Sequence, residues 1–204
     1  MALFHDRPHA FSDAECDRLI ALAEESALAP APVYGAGGYR PDPALRDVLH
    51  AYRPRSEATL WIYERLDALF AEAGAALGIA VAPMAEPLQL LRYEAGSHFQ
   101  AWHGDAGYDK QRERVISVSV ELSAAADHDG GDLEIMPVLL GPGNRLPRGG
   151  ARFFRSQAVH RVTPVTRGRR YALVNWAPAP ELGAGANRSC APGAARDTSA
   201  PRAG

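Results

Sequence analysis

Lysine is almost missing from this sequence. Lys110 is the only one among 204 residues, against 21 arginines and 38 alanines, which reads as a bias of GC-rich coding sequence rather than a functional signal. Cysteine is scarce too: Cys16 and Cys190 lie at opposite ends of the chain and make no metal-binding or redox spacing. Long apolar runs are absent, and none approaches the ~20 residues that a membrane helix needs. The opening Met1-Ala-Leu-Phe-His-Asp-Arg-Pro lacks the charged segment and hydrophobic run of a secretory signal. Charge of one sign is lacking as well. Lys+Arg 22 against Asp+Glu 24 gives a net charge of -2, with no global basic field to draw the protein onto nucleic acid or an anionic membrane. What is left is the expectation of a soluble, cytoplasmic protein. Its hydrophobic fraction of 47% and charged fraction of 23% suit one well-buried domain.

The first third of the chain has helical spacing. Phe11, Cys16, Leu19, Ile20, Leu22 and Ala23 recur along one face. Ser12 with Glu15 three residues on forms a capping box, so a helix is expected to begin at Asp13. Residues 29–43, with Pro30, Pro32, Gly35, Gly37, Gly38, Pro41 and Pro43, read as a loop. A second amphipathic helix is expected near Ser56–Gly78, stopped by Gly78.

After Pro83 the pattern changes to short strand-like runs separated by Gly/Pro/Asp-rich turns: Leu88–Tyr93, Val115–Leu122, Leu133–Met136, Ala151–Phe154, Val159–Val165 and Arg170–Trp176. In the second of these, Val115, Ser117, Ser119 and Glu121 alternate with Ile116, Val118, Val120 and Leu122. One face is therefore apolar and the other carries small polar groups and one carboxylate. Helices followed by many short strands predict an α+β fold with helices packed on an antiparallel sandwich or barrel. From Pro178 to Gly204, 16 of 27 residues are Ala, Gly or Pro, so this stretch is expected to be a disordered tail.

Three features of the strand-rich half bear chemistry. His103-Gly104-Asp105 would place an imidazole and a carboxylate on one face of a strand. A distal His160 follows after 54 intervening residues. Two histidines and one carboxylate on one side of a metal leave adjacent positions open, which suits Fe(II) oxygenases. Arg170, ten residues beyond His160, can hold a carboxylate by two parallel hydrogen bonds. Each piece alone has a blander reading, as a chance motif, a strand histidine and a surface charge. Their order and spacing together carry the signal.

The joint pattern is Tyr93-Glu-Ala-Gly96-Ser-His-Phe99-Gln-Ala-Trp-His103-Gly-Asp105, then Gly130-Gly131-Asp-Leu133, then His160-x-Val-x-Pro-Val-x-x-Gly168-x-Arg170. It resembles the prolyl-4-hydroxylase-like branch of the Fe(II)/2-oxoglutarate dioxygenases over roughly residues 11–177. The helical opening Phe11–Ile20 adds to the likeness. The resemblance implies a double-stranded β-helix, or jelly roll, with N-terminal packing helices. One domain would span 1–177, helical over 11–80 and jelly roll over 85–177, with 178–204 as the tail. It implies His103, Asp105 and His160 as iron ligands. Arg170 and Tyr93 would hold the far carboxylate of 2-oxoglutarate, and Leu133 would line that pocket. With O2, such an oxidoreductase hydroxylates an unactivated C–H bond and releases succinate and CO2; the resemblance also allows L-ascorbate.

Glu121, Trp176 and Gln89 are candidate substrate residues, all on faces expected to point inward. For Glu121 the expected contact is a polar or cationic substrate or a neighbouring arginine, since an unpaired buried carboxylate is costly. Gln100 stands where the family usually has an aromatic, and Phe99 sits one residue earlier, which predicts a bulge in that strand. His128 reads as a surface turn residue, His98 as a loop histidine, and His5, His9 and His50 carry no pattern. Arg161, Arg167, Arg169 and Arg170 lack the interleaved aromatics of a nucleic-acid patch. The substrate is expected to be a small molecule, an amino acid or a peptidyl residue. Desaturation or cyclisation by the same cofactors, or a non-catalytic jelly-roll binding module, are the competing readings. Halogenation is disfavoured because Asp105 fills the ligand position that a halide needs. Oligomeric state is not legible.

Overall fold

A computed structural model describes residues 2–35, 38–107, 113–137 and 144–180. In chain order it has β1 (Phe4–Arg7), α1 (Asp13–Glu24), β2 (Ala29–Pro30), β3 (Pro32–Gly35), β4 (Gly38–Pro41), β5 (Arg46–Asp47), β6 (Leu49–Arg53) and α2 (Leu60–Leu77). Then follow β7 (Leu88–Tyr93), β8 (His98–His103), β9 (Arg114–Glu121), β10 (His128–Gly130), β11 (Leu133–Ile135), β12 (Ala151–Arg155), β13 (His160–Val162), β14 (Val165–Gly168) and β15 (Arg170–Pro178). No helix among the described residues is long and apolar enough to cross a membrane.

Helix α1 starts where its capping box places it. Ser12 Oγ accepts from the Glu15 amide at 3.3 Å, and Glu15 Oε2 accepts from the Ser12 amide at 2.8 Å. Arg65 of α2 donates to both oxygens of Glu15 and to the Ala10 carbonyl, so the same cap ties the two helices together. Helix α2 ends at Gly78, which takes the left-handed conformation (φ 66°) that terminates helices. It begins four residues later than Ser56, because Ser56 and Thr59 bond to one another, and Thr59 Oγ1 donates to the Pro54 carbonyl, in a turn before it.

A seven-stranded antiparallel sheet runs in the order β1-β12-β9-β15-β7-β6-β2, and a four-stranded sheet in the order β11-β13-β8-β5. Two small ribbons, β10-β14 and β3-β4, complete the described strands. The alternation expected in β9 sets the layers. Ile116, Val118, Val120 and Leu122 are buried against the helices together with Leu66, Phe70, Leu88, Phe153 and Leu173. The opposite face, with Leu91, Tyr93 and Ala172, packs with Val162 and Val165 in a second cluster between the sheets. The helices thus cover one side of the large sheet, and the polar face of β9 is turned inward, toward the smaller sheet.

Two expectations are corrected. Residues 29–43 are not a loop: they form β2 and the β3-β4 hairpin, in which Val33 pairs with Arg40. The stretch 11–80 is likewise not helical throughout, since β2 to β6 lie between its helices. These strands are two to five residues long and rich in proline and glycine, so hydrophobic alternation had no length in which to show. At the other end β15 runs to Pro178, and the Ala179 amide donates to the Glu113 carbonyl (2.9 Å). The rest of the expected tail, with Cys190, and the segment with Lys110 lie outside the described residues.

Candidate active site

The register of the large sheet assembles one wall of the site. β15 pairs with both of its neighbours: Arg170 faces Tyr93, Val174 faces Gln89 and Ser119, and Trp176 faces Ser117. These positions share the inward face because side chains alternate along a strand. The facing wall is the small sheet, where His160 of β13 pairs with His103 of β8. Between the two lies a cavity of about 500 Å³, within the range of ligand pockets. His103, Asp105, His160, Arg170, Tyr93, Leu133, Trp176 and Gln89 all line it.

His103 is the last residue of β8, and Asp105 lies beyond the strand rather than on it. Its position comes instead from the amides of Asp105 and Ala106, which both donate to the Ser156 carbonyl at 2.8 and 2.9 Å. The bulge expected near Phe99 is present. Three residues of β13, from His160 to Val162, span five of β8, from His103 to Phe99. This turns Phe99 flat onto His103, with ring centroids 3.8 Å apart and an interplanar angle of 18°.

His103, Asp105 and His160 form a cluster whose ligand atoms all lie within 4.8 Å of one another. Nδ1 of His103 sits 2.9 Å from the Ala101 carbonyl, and Nδ1 of His160 3.0 Å from the Ala158 carbonyl. A carbonyl can only accept, so each Nδ1 carries the proton and each Nε2 presents a lone pair. Those lone pairs converge on Asp105, with Nε2 4.0 Å from Oδ1 for His103 and 3.6 Å from Oδ2 for His160. Two lone pairs aimed at a buried carboxylate need a cation between them, and two imidazoles with one carboxylate fit iron(II). Burial, then the neighbouring His160, pushes the His103 pKa down to about 4 against the pull of Asp105, so its imidazole is neutral and ready to ligate at physiological pH. Burial alone would raise the Asp105 pKa, but His160, His103 and hydrogen bonds from Ser117 and Trp176 bring it below the usual carboxylate range. Ser117 Oγ donates to Asp105 Oδ2 at 2.7 Å.

Deeper on the same wall, Arg170 is buried, and its Nε donates to Glu121 Oε2 at 2.9 Å. Burial acts to lower its pKa, but the Glu121 carboxylate outweighs this and holds the guanidinium firmly charged. The guanidinium carbon lies 5.2 Å from the ring centre of Tyr93, whose phenol burial pushes up and keeps neutral. Glu121 was expected to meet a substrate or a neighbouring arginine, and its contact is the arginine; it is not among the residues that line the cavity. Gly131 has φ 70° and lies so close to Arg170 that a Cβ there would come within 2.9 Å of Cδ.

His128 is corrected from surface to core: it is fully buried, with Nδ1 3.0 Å from the Gly130 carbonyl and Nε2 3.8 Å from Glu121 Oε1. His98 stands on β8 rather than in a loop. His50, given no role, is buried behind Gln89, whose Nε2 lies 3.0 Å from its Nδ1. Ser117, Arg46 and Arg114 were given no role in the site from the sequence, and Phe99 only marked the bulge. Ser117 left a signal as part of the polar face of β9. Arg161, Arg167 and Arg169 each pair with an acid, Glu134, Asp129 and Glu94 respectively.

The cavity brings together two histidines, one carboxylate and a buried arginine, a donor set that suits a non-haem iron site with open positions beside a carboxylate-binding group. Residues 88–178 match the model of the 2OG-Fe(II) oxygenase superfamily. A PKHD-type hydroxylase of Synechococcus sp. (strain JA-2-3B'a(2-13)) is 39% identical over 88 residues, covering 41% of this chain and 39% of that protein. One of Hyphomonas neptunium (strain ATCC 15444) is 41% identical over 68 residues, 33% of this chain and 30% of that protein. The chain thus spans about two fifths of the length of the curated relatives it matches, or less. Among solved structures, a Pseudomonas putida prolyl-4-hydroxylase superposes with TM-score 0.62 at 20% identity, covering 87% of this chain and 92% of that one. The viral collagen prolyl hydroxylase of Paramecium Bursaria Chlorella virus-1, in a 2OG complex, gives 0.63 at 18%, covering 87% and 97%. These likenesses show the double-stranded β-helix fold.

Proposed function

We propose that this protein is an Fe(II)/2-oxoglutarate-dependent dioxygenase that hydroxylates an unactivated C–H bond of a small molecule, an amino acid or a peptidyl residue. The observation that carries the reading is the convergence of the two Nε2 lone pairs on Asp105 in the same cavity that Arg170 closes. His103, Asp105 and His160 would hold the iron, which supplies the oxidising power for coupling decarboxylation of 2-oxoglutarate to C–H hydroxylation, with succinate and CO2 as co-products.

The chain's own residues do the rest. Arg170, with Tyr93 beside it, fits the far carboxylate of 2-oxoglutarate, and Leu133 gives that end an apolar wall. Ser117 and Trp176 hold Asp105 ionised and oriented toward the histidines. Phe99 covers one face of His103 and excludes water from it. Gln89, Val174 and Trp176 continue the same wall toward the space left for a substrate. The similarity to PKHD-type hydroxylases agrees with this reading.

The test is succinate formation from 2-oxoglutarate by protein loaded anaerobically with Fe(II) and then given O2. Wild type is expected to turn over 2-oxoglutarate slowly even without substrate, and Asp105→Ala to lose this. A wild type that neither binds nor consumes 2-oxoglutarate overturns the proposal and favours a non-catalytic binding module.

A further inference from the structure

Three arginines line the cavity among the described residues: Arg46, Arg114 and Arg170. Two of them arrive with an acid. Arg170 is joined to Glu121, and Arg114 Nε donates to Glu86 Oε1 at 2.6 Å. Arg46 differs. Its Nη1 donates to the Pro32 carbonyl at 3.1 Å, its Nε is buried with no hydrogen-bond partner, and no carboxylate of the described residues lies within ion-pair distance. A guanidinium sheltered from water with an unused donor is costly unless an anion meets it.

Arg46 is also fixed in place. β5 pairs with β8 so that Arg46 stands opposite Phe99, and its guanidinium carbon lies 4.6 Å from the centre of that ring. Phe99 is in turn stacked on His103. The unpaired cation is therefore one aromatic ring away from a metal ligand. Around it the cavity is lined by Pro32, Leu45, Tyr39 and Tyr52, from the hairpin and strands of the N-terminal third rather than from the Arg170 wall.

Building on the oxygenase reading, we propose that Arg46 is the specificity-determining residue of this site and that the substrate carries a carboxylate. The anion pairs with Arg46, and the apolar body of the substrate lies along Phe99 and Trp176 toward the iron ligands. A single unpartnered guanidinium matches a singly charged carboxylate rather than a phosphate, which would bring a second charge with no partner. Burial, which pulls the Arg46 pKa down, disfavours leaving this cation without an anion. A free amino acid derivative and the C-terminus of a peptide share this chemistry.

The experiment uses full-length protein saturated with Zn(II) and 2-oxoglutarate, with tryptophan fluorescence as the readout, since Trp102 and Trp176 line the cavity. Probes are the N-acetyl-L-amino acids, their carboxamides, and tripeptide acids ending in the same residues. We expect at least one acid to bind about tenfold or more tightly than its amide. That preference is lost in Arg46→Gln and retained within about threefold in Arg46→Lys, which keeps the charge. Preference for the single amino acids over the tripeptides assigns the anion to a small molecule, and the reverse to a peptide end. The proposal is overturned if no acid is preferred to its amide, if the preference survives Arg46→Gln, or if that variant instead loses 2-oxoglutarate. Titrating 2-oxoglutarate alone into the Zn(II) wild type judges the oxygenase reading separately, because its failure leaves the acid-against-amide comparison measurable.

Discussion

Arg170 donates through Nε to Glu121 at 2.9 Å, and both side chains are buried. Anchoring a guanidinium by Nε fixes the plane of its fork before any ligand arrives, so little entropy is left to lose on binding a carboxylate. The same bond spares the core an uncompensated charge when the cavity is empty of cosubstrate.

Removing either partner therefore has a different outcome. Arg170→Ala is expected to weaken 2-oxoglutarate binding by on the order of 3 kcal/mol, about a hundredfold in Kd, with metal binding retained. Glu121→Gln is expected to lower the stability of the cosubstrate-free protein by about 3 kcal/mol, because a buried cation loses its counter-charge. Thermal unfolding with and without 2-oxoglutarate separates them: the cosubstrate should raise the Tm of Glu121→Gln more than that of wild type. Equal shifts would mean that Glu121 does not compensate Arg170.

Ser117→Ala removes the hydroxyl that donates to Asp105 at 2.7 Å. Metal affinity is expected to fall by about tenfold to a hundredfold, the usual effect of losing a hydrogen bond to a ligating group. Competition titration with Zn(II) and a chromophoric chelator checks this, and an unchanged affinity would show that Asp105 is oriented without the Ser117 bond.

Gly131→Ala places a methyl group against Arg170 Cδ and Val165 Cγ2 at 2.9 and 2.8 Å, on a backbone with φ 70°. Arg170 must shift to admit it. The expected result is weaker 2-oxoglutarate binding with the metal site intact, read by parallel titrations of the two ligands.

The Arg65 pair, then the bond from the Ser12 amide, holds the Glu15 pKa down to about 2 from 4.5. A carboxylate with a depressed folded pKa stabilises the fold above its unfolded value and loses that contribution as pH falls through the folded one. The capping box should thus weaken between about pH 4.5 and 2, and Glu15→Gln should remove this part of the acid transition. Tm measured against pH for the two proteins provides the check.

The sequence made the inward face of β9 legible because eight residues of alternation leave little ambiguity, and the clustering of His103, Asp105 and His160 was legible because their order and spacing are distinctive. It also exposed the bulge, through the one-residue offset of Phe99. What it hid lies in contacts between elements. Arg46 gains its meaning from Phe99 one strand away, His50 from Gln89 across a pair, and His128 from Glu121 beyond a turn. Its polar surroundings, Asp127 and Asp129, suggest surface, yet its ring points inward. The first two pairs are cross-strand neighbours 53 and 39 residues apart, fixed by register, which one sequence does not encode locally.

The sheet order places β15 between β9 and β7, although it is the last of the described strands along the chain. A nascent polypeptide therefore holds an open seam, with two unpaired edges, until Arg170–Pro178 has been synthesised. The strand that zips this seam also delivers Arg170 and Trp176 to the cavity. Completion of the barrel and completion of the pocket are consequently one event, and an interrupted translation product has neither.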